Sequence, residues 1–183
     1  IKSFIWKGEA RRYSGNTADA LKIFEEFLTL YPSYHLTPLV EYQMGVIQFE
    51  QDKFDTATSF LINATSSDDP VTRARAFTLI GEIELRKKNY IKAKAHFEPA
   101  VRITDAETDV HQRALLGLGI ALYHLEDFEN AKFAVFGFFS NDDVNYQDPL
   151  REEFKWKNTL VGFEWLQVYD VQLYLRWCIS LRS

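Results

Sequence analysis

The chain has 183 residues and a formal net charge of −5, with 46% hydrophobic and 26% charged residues. This apolar content is typical of globular domains, so it excludes an intrinsically disordered or collagen-like chain, and the single cysteine excludes an internal disulfide framework. No apolar run, Phe133 to Phe139 included, approaches the roughly 18 residues that a transmembrane helix requires. The sequence therefore predicts a folded, soluble chain.

Small residues recur at a nearly constant spacing. Gly8, Gly45, Gly81 and Gly119 are separated by 37, 36 and 38 residues. An alanine follows each glycine after twelve residues, and a bulky residue follows each alanine after four. The alanines are Ala20, Ala57, Ala93 and Ala131, and the bulky residues are Phe24, Leu61, Phe97 and Val135. A fixed period of this length indicates a repeat architecture.

Each unit has room for two antiparallel helices of three to four turns and their connections. Because Gly inside a helix costs about 0.5–1 kcal/mol relative to Ala, its recurrence indicates close approach of two backbones. We therefore predict that the small residues lie where the two helices of a unit cross. Thr37-Pro38 and Asp69-Pro70 are expected to cap first helices, and Asn89 a second helix. Pro99, inside a second helix, predicts a kink or an early helix end.

These residues resemble the tetratricopeptide repeat, which places aromatic residues, Leu-Gly, Ala, Phe and Pro at such spacings. The match is most specific at Phe77, Ile80, Gly81, Tyr90, Ala93, Phe97 and Ala100, and at Leu115, Leu118, Gly119, Phe128 and Ala131. The resemblance covers roughly residues 1–143 and implies an all-α fold, a right-handed superhelical solenoid of antiparallel helix pairs. We expect four pairs within residues 1–146, at about 1–34, 37–68, 70–104 and 108–141.

The remaining residues, 147–183, contain many aromatic rings and no repeat signal. Pro149 followed by Glu152 and Glu153 predicts a helix start. Since a solenoid must cover its terminal apolar face, we expect a helical segment that caps the last unit. Alternatively, this segment lies in the groove of the solenoid or docks a partner.

The inner wall of such a solenoid is made by the first helices of the units and is its usual binding surface. Residues at positions −6, −3, +1 and +4 from each glycine share one helical face. The predicted groove residues are Leu39, Tyr42, Val46, Phe49, Arg75, Thr78, Glu82, Leu85, Arg113, Leu116, Ile120 and Tyr123. This mixture suits an apolar helix or peptide with bulky anchors, and Arg75 and Arg113 would pair with its acidic groups.

A basic cluster lies at the turn of the third unit, in Arg86, Lys87 and Lys88. It could steer an acidic partner segment, although a solvated turn is the favoured explanation. The acidic balance of the whole chain argues against a nucleic-acid partner.

Catalytic chemistry has no visible signature here. No nucleophile with a base, carboxylate pair or metal-ligand spacing is found, so we expect no catalytic residue, no metal and no cofactor. The sequence favours a non-enzymatic scaffold or adaptor that binds a protein segment, alone or within a larger complex. The alternatives are an assembly module whose groove holds its own C-terminal segment, and the regulatory part of a larger enzyme.

The cellular compartment is indicated only by resemblance. The stretch from Phe24 to Gly45, with Tyr31-Pro32, is similar to repeats of bacterial outer-membrane-assembly lipoproteins. This likeness implies the cell envelope or periplasm, and the cytoplasm is the alternative.

Overall fold

Within residues 2–103 and 105–140, which a computed structural model describes, the chain forms eight α-helices and no strand. The helices are α1 (Lys2–Tyr13), α2 (Thr17–Leu30), α3 (Thr37–Glu50), α4 (Phe54–Ala64), α5 (Pro70–Arg86), α6 (Tyr90–Arg102), α7 (Thr108–His124) and α8 (Phe128–Ser140). None of these described helices is both long and apolar enough to span a membrane. The expected C-terminal segment, residues 147–183, lies outside the described residues.

Consecutive helices pack as four hairpins, α1 with α2, α3 with α4, α5 with α6, and α7 with α8. Each hairpin forms one unit. The first helices also pack on one another, since α3 contacts α1, α5 contacts α3, and α7 contacts α5. The first helices therefore form one layer of the solenoid, as the all-α repeat prediction requires.

The crossings within the hairpins are made by the repeated small and bulky residues. A Cβ added to Gly81 would lie 2.7 Å from the ring of Phe97, and one added to Gly45 would lie 2.7 Å from Leu61. The ring of Phe97 also lies against Gly117 of the next unit. The prediction that small residues mark the crossings is thus confirmed, because no larger residue would fit there without displacing its neighbour.

The hydrophobic core joins each second helix to the next first helix. Phe24 and Phe27 of α2 cluster with Ile47 of α3, and Leu61 of α4 clusters with Ile83 of α5. The same arrangement joins α6 to α7. Since each of these three clusters spans two units, successive units bury apolar surface against one another, which is the physical basis of a solenoid.

The turn between the two helices of a unit has the same conformation four times. Gly15, Asp52, Lys88 and Glu126, each seven residues after the repeat glycine, have φ between 58° and 79°. The N–H of the next residue donates to a carbonyl five residues earlier, as in Asn89 N to Glu84 O at 2.8 Å. This is the Schellman ending, which favours glycine at the left-handed position. Three of the four turns therefore carry backbone strain of about 1–2 kcal/mol.

The first helices of the second and third units, α3 and α5, begin with different N-terminal caps. Asp69 caps α5 as expected, and its Oδ2 accepts from the N–H of Thr72 at 2.9 Å. The cap expected at Thr37 is wrong, because Leu36 occupies the N-cap of α3 and Thr37 is the first helical residue. The hydroxyl of Thr37 donates instead to the carbonyl of Tyr31 at 2.8 Å. The Thr37 hydroxyl therefore bonds to a carbonyl that also accepts from the N–H of Tyr34 at 3.4 Å, and not to the start of α3.

The start and the end of α6 also depart from expectation. Asn89 holds the N-cap position but makes no capping bond, and its Nδ2 donates to Glu84 Oε2 at 2.9 Å. This bond supplies a partner to a buried carboxylate, which otherwise would carry a desolvation cost. The early end expected at Pro99 is wrong, since α6 continues to Arg102.

Candidate functional site

The predicted groove residues lie along the layer of first helices. Ten of the twelve are partly exposed in α3, α5 and α7. Thr78 and Ile120 are buried instead, and the hydroxyl of Thr78 donates to the carbonyl of Ala74 at 2.9 Å. These two residues therefore contribute to helix packing rather than to the accessible surface.

Tyr42 of α3 lies close to charged groups of α5 and α7. Burial raises the pKa of Tyr42, although the positive charges of Arg75 and Arg113 act to lower it. The phenol therefore stays neutral well beyond physiological pH and keeps a hydroxyl for hydrogen bonding. The fold thus brings together three of the predicted groove residues that come from different units.

Arg75 is held by an acid of its own chain. Its Nε donates to Glu107 Oε2 at 3.1 Å and its Nη2 donates to Oε1 at 2.6 Å. Partial burial acts to lower the pKa of Arg75, but the hydrogen bonds and charge of Glu107 outweigh it and raise this pKa. Glu107 is the N-cap residue of α7, so the pair links the third unit to the fourth.

Arg113 of α7 is paired with Glu82 of α5. Its Nε and Nη2 donate to Glu82 Oε1 at 3.0 and 2.6 Å. The charge of Glu82 raises the pKa of Arg113 against the opposing effect of burial. Both arginines expected to bind acidic ligand groups are therefore already neutralised across the junction of the third and fourth units.

The aromatic part of the surface is covered in a similar way. Phe49 and Phe54 pack with their ring centroids 5.9 Å apart. The guanidinium of Arg86, from the next unit, lies 4.6 Å from the Phe49 centroid and 3.7 Å from Asp52 Oδ1. One residue of the basic cluster thus lies over this aromatic pair.

The rest of the basic cluster is at the same junction. Lys87 Nζ lies 2.7 Å from Asp55 Oδ1, and this hydrogen bond and the lysine charge lower the pKa of Asp55. Lys88 is exposed at the left-handed turn position. Arg86 and Lys87 therefore pair with acids of the second unit, so part of a cluster that charge alone would assign to a partner already has partners within the chain.

Three charged residues of this surface were not identified from the sequence. Arg12 pairs with Glu50 at 3.0 Å, and Glu9 accepts from Gln43 Nε2 at 2.8 Å. Both occupy groove positions +4 and +1 of the first unit, so the repeat register already pointed to them. Glu107 gave no such signal, because it lies in a connection outside the repeated pattern.

The described residues of this surface offer no cluster of side chains that could bind a metal ion. In the part of the chain that the structure describes, no three His, Cys, Asp or Glu side chains come together as a metal-binding group. The chemistry available along the groove is hydrogen bonding, ion pairing and burial of apolar side chains.

Stacked helix hairpins with a layer of first helices define a tetratricopeptide-type helical solenoid. A family model described as tetratricopeptide repeat matches residues 3–34, the region of α1 and α2. The resemblance inferred from the sequence is confirmed by this match, and the helical-repeat fold is confirmed by solved structures. Solenoids of this class present extended surfaces on which other proteins bind.

Three solved structures share the fold. A crystal structure of MamA has a TM-score of 0.63 and 18% identity, covering 85% of this chain and 80% of that one. BtubC from P. vanneervenii has a TM-score of 0.62 and 15% identity, covering 74% of this chain and 60% of that one. The Pseudomonas aeruginosa pilF structure has a TM-score of 0.52 and 20% identity, covering 79% of this chain and 77% of that one. Among curated proteins no significant match is found.

Proposed function

We propose that the chain is a non-enzymatic scaffold that binds a protein segment, a peptide or a helix, along the concave layer of first helices. The observation that carries this proposal is the set of partly exposed apolar side chains around Tyr42, which come from successive units and share one face. Such a preformed apolar surface with a few polar groups is suited to bulky anchor residues of a partner.

The internal ion pairs refine the chemistry of the segment that would bind. Glu82 and Arg113 join two packed helices, and the Glu82 side chain is only 20% exposed, so a ligand carboxylate would have to displace a largely buried acid to pair with this arginine. Glu107 lies on a connection and its side chain is 45% exposed, while that of Arg75 is 33% exposed. A ligand carboxylate can therefore exchange with Glu107 at Arg75 with little disturbance of the fold. We assign acid recognition to Arg75 rather than to Arg113.

The segment 147–183 of the chain itself is the competing occupant of the groove. Its seven phenylalanine, tyrosine and tryptophan rings supply the kind of anchor that an apolar groove accepts. In that case the solenoid acts as an assembly module, and partners bind elsewhere on it.

Photo-crosslinking separates these two occupants. A photoreactive phenylalanine analogue replaces Tyr42 in the full chain, and the captured peptides are identified by mass spectrometry. The matched control carries the same analogue at Ile91, which is 74% exposed on α6, a second helix. We expect the Tyr42 position alone to capture one defined segment of another protein. Capture of only residues 147–183, or equal capture at both positions, would refute groove binding.

The captured segment then allows a test of acid recognition. Arg75→Gln should weaken binding of a synthetic copy of the segment about ten-fold, which corresponds to about 1.4 kcal/mol for a charge-assisted bond. Lys88→Gln removes one positive charge outside the groove and should leave the affinity unchanged. An equal loss in both variants would mean that only net charge matters.

A further inference from the structure

Two acidic residues hold the same position in successive units but bind different partners. Asp69 and Glu107 each lie twelve residues before the repeat glycine, and each is the N-cap residue of a first helix with an extended backbone. The side chain of Asp69 accepts from the N–H groups of Val71 and Thr72, which is the usual role of an acid at this position. The side chain of Glu107 makes no capping bond, and its carboxylate binds Arg75 of the preceding unit instead.

Glu107 occupies the edge of Arg75 that a ligand carboxylate would need. The guanidinium donates through Nε to Oε2 at 3.1 Å and through Nη2 to Oε1 at 2.6 Å. This pair of parallel bonds is the arrangement in which an arginine recognises a carboxylate of another molecule. Because one edge of a guanidinium binds one carboxylate in this way, Glu107 and an acidic group of a ligand compete for the same place.

Glu107 can leave its arginine more easily than the acid at the neighbouring arginine can. Its side chain is 45% exposed and lies in the connection before α7, whereas that of Glu82, which pairs with Arg113, is 20% exposed. The N-terminus of a helix attracts a carboxylate, because its N–H groups and its dipole are positive there. Asp69 shows how an acid at this position binds the first turn of its own helix, since its Oδ2 accepts from the N–H of Thr72 at 2.9 Å. The start of α7 is therefore a second place where the Glu107 carboxylate can bind.

We propose that Glu107 is an internal competitor of the ligand. It binds Arg75 while the groove is empty, and it moves to the N-terminus of α7 when an acidic group of the bound segment takes its place. This inference rests on the proposed function, in which Arg75 recognises such an acidic group. The apparent affinity of a ligand falls in proportion to the fraction of molecules in which its site is free. An ion pair of this exposure favours the occupied state up to about five-fold, so removal of Glu107 should tighten binding about three- to five-fold.

Modification of arginines by phenylglyoxal, followed by mass spectrometry, measures access to Arg75 without any partner. Glu107→Gln should raise the modification rate of Arg75 about three- to five-fold, because the carboxylate that shields its guanidinium is gone. The matched control is Asp105→Asn, which removes the same charge from an exposed residue of the same connection and should leave this rate unchanged. Circular dichroism checks that both variants keep their helix content. An equal rise in both variants, or no rise in Glu107→Gln, would overturn the proposal.

A double-mutant cycle tests the competition itself. A synthetic copy of the segment captured at Tyr42 is titrated onto the full chain and its variants. Glu107→Gln should tighten binding about three- to five-fold, Asp105→Asn should leave it unchanged, and the effect of Glu107→Gln should disappear in the Arg75→Gln background. Unchanged or weaker binding by Glu107→Gln, or an effect that persists without Arg75, would overturn the proposal. If no segment is captured, groove binding fails, and the phenylglyoxal rates still decide whether Glu107 occupies Arg75.

Discussion

The helix crossings and the concave surface differ in how much their residues change from unit to unit. At the crossings, the repeat glycine always faces a bulky residue of its own hairpin, as Gly81 faces Phe97. On the concave surface, one register position holds Leu39, Arg75 and Arg113 in successive units. Because every hairpin has the same geometry, its crossing accepts the same pairing of a small residue with a bulky one. The concave surface has no such constraint, so its residues vary from unit to unit.

Under the proposed function, this difference separates the residues that stabilise the fold from the residues that bind the partner segment. The crossings bury uncharged groups completely, and their contribution should be large and insensitive to salt. The concave surface combines half-buried ion pairs with apolar side chains, so single changes there should cost less and depend on ionic strength. The following substitutions test this division.

Phe97→Ala should have the largest effect on stability. The ring is fully buried between Gly81 and Gly117, and its removal leaves a cavity that rigid helices cannot close. We expect the free energy of unfolding to fall by about 3–5 kcal/mol in urea titrations followed by circular dichroism. Ile91→Ala, on the exposed side of the same helix, should change it by less than about 0.5 kcal/mol. Similar values for the two variants would contradict the role of the crossing.

Gly117→Ala should destabilise the chain although alanine is the better helix former. At an exposed helical site this exchange stabilises by about 0.5–1 kcal/mol. Here the added methyl group meets the ring of Phe97, which is packed on both sides, so we expect a loss of about 1–3 kcal/mol. Ser59→Ala, at an exposed site of α4, is the control and should be neutral to within about 0.5 kcal/mol. An increase in the unfolding free energy of Gly117→Ala would refute tight packing.

Glu82→Gln should cost less and should depend on salt. It leaves the partly buried Arg113 without its charged partner, and we expect a loss of about 1 kcal/mol at low ionic strength. The loss should shrink at about 1 M salt, where the Debye length is about 3 Å. Asp55→Asn is the control, because it removes the fully exposed partner of Lys87 and should have no measurable effect. A salt-independent loss would point to packing rather than charge.

The hairpin turns should give the smallest changes, in opposite directions. Lys88→Gly removes the strain of a left-handed residue with φ of 59°. Part of this gain is lost because glycine has more conformational entropy in the unfolded chain, so the net stabilisation should be about 0.5 kcal/mol. Gly15→Ala introduces the same strain at φ of 79°, where a Cβ meets no neighbour, and should cost about 1 kcal/mol. Thermal unfolding measures both. Changes of the same sign would contradict the account of these turns.

The crossings could be predicted because their chemistry repeats with their geometry. Gly8, Gly45, Gly81 and Gly119 recur with their alanines at fixed offsets, and the structure places them at the predicted contacts. The turns repeat their geometry without repeating their chemistry. Asp52, Lys88 and Glu126 share the conformation of Gly15 but no side-chain property. Only the register, and no residue type, could have identified them.

The concave surface was predictable as a set of positions but not as a set of contacts. The register led to Tyr42, Arg75 and Arg113, which the fold brings close together. It gave no indication that Glu107 neutralises Arg75, because that acid lies in a connection whose path depends on the packing of two units. The expected cap at Thr37 was wrong for a related reason, since a competing carbonyl was invisible in the sequence.

Capture by a photoreactive residue at Tyr42, compared in two variants of matched stability, tests the separation of stability from recognition most directly. Gly15→Ala acts at a turn, and Leu116→Ala shortens a half-buried side chain on the concave surface, each at a cost of about 1 kcal/mol. We predict that both variants lose similar unfolding free energy and that only Leu116→Ala loses capture of the partner segment. Equal loss of capture in both variants, or in neither, would contradict the assignment of recognition to the concave surface.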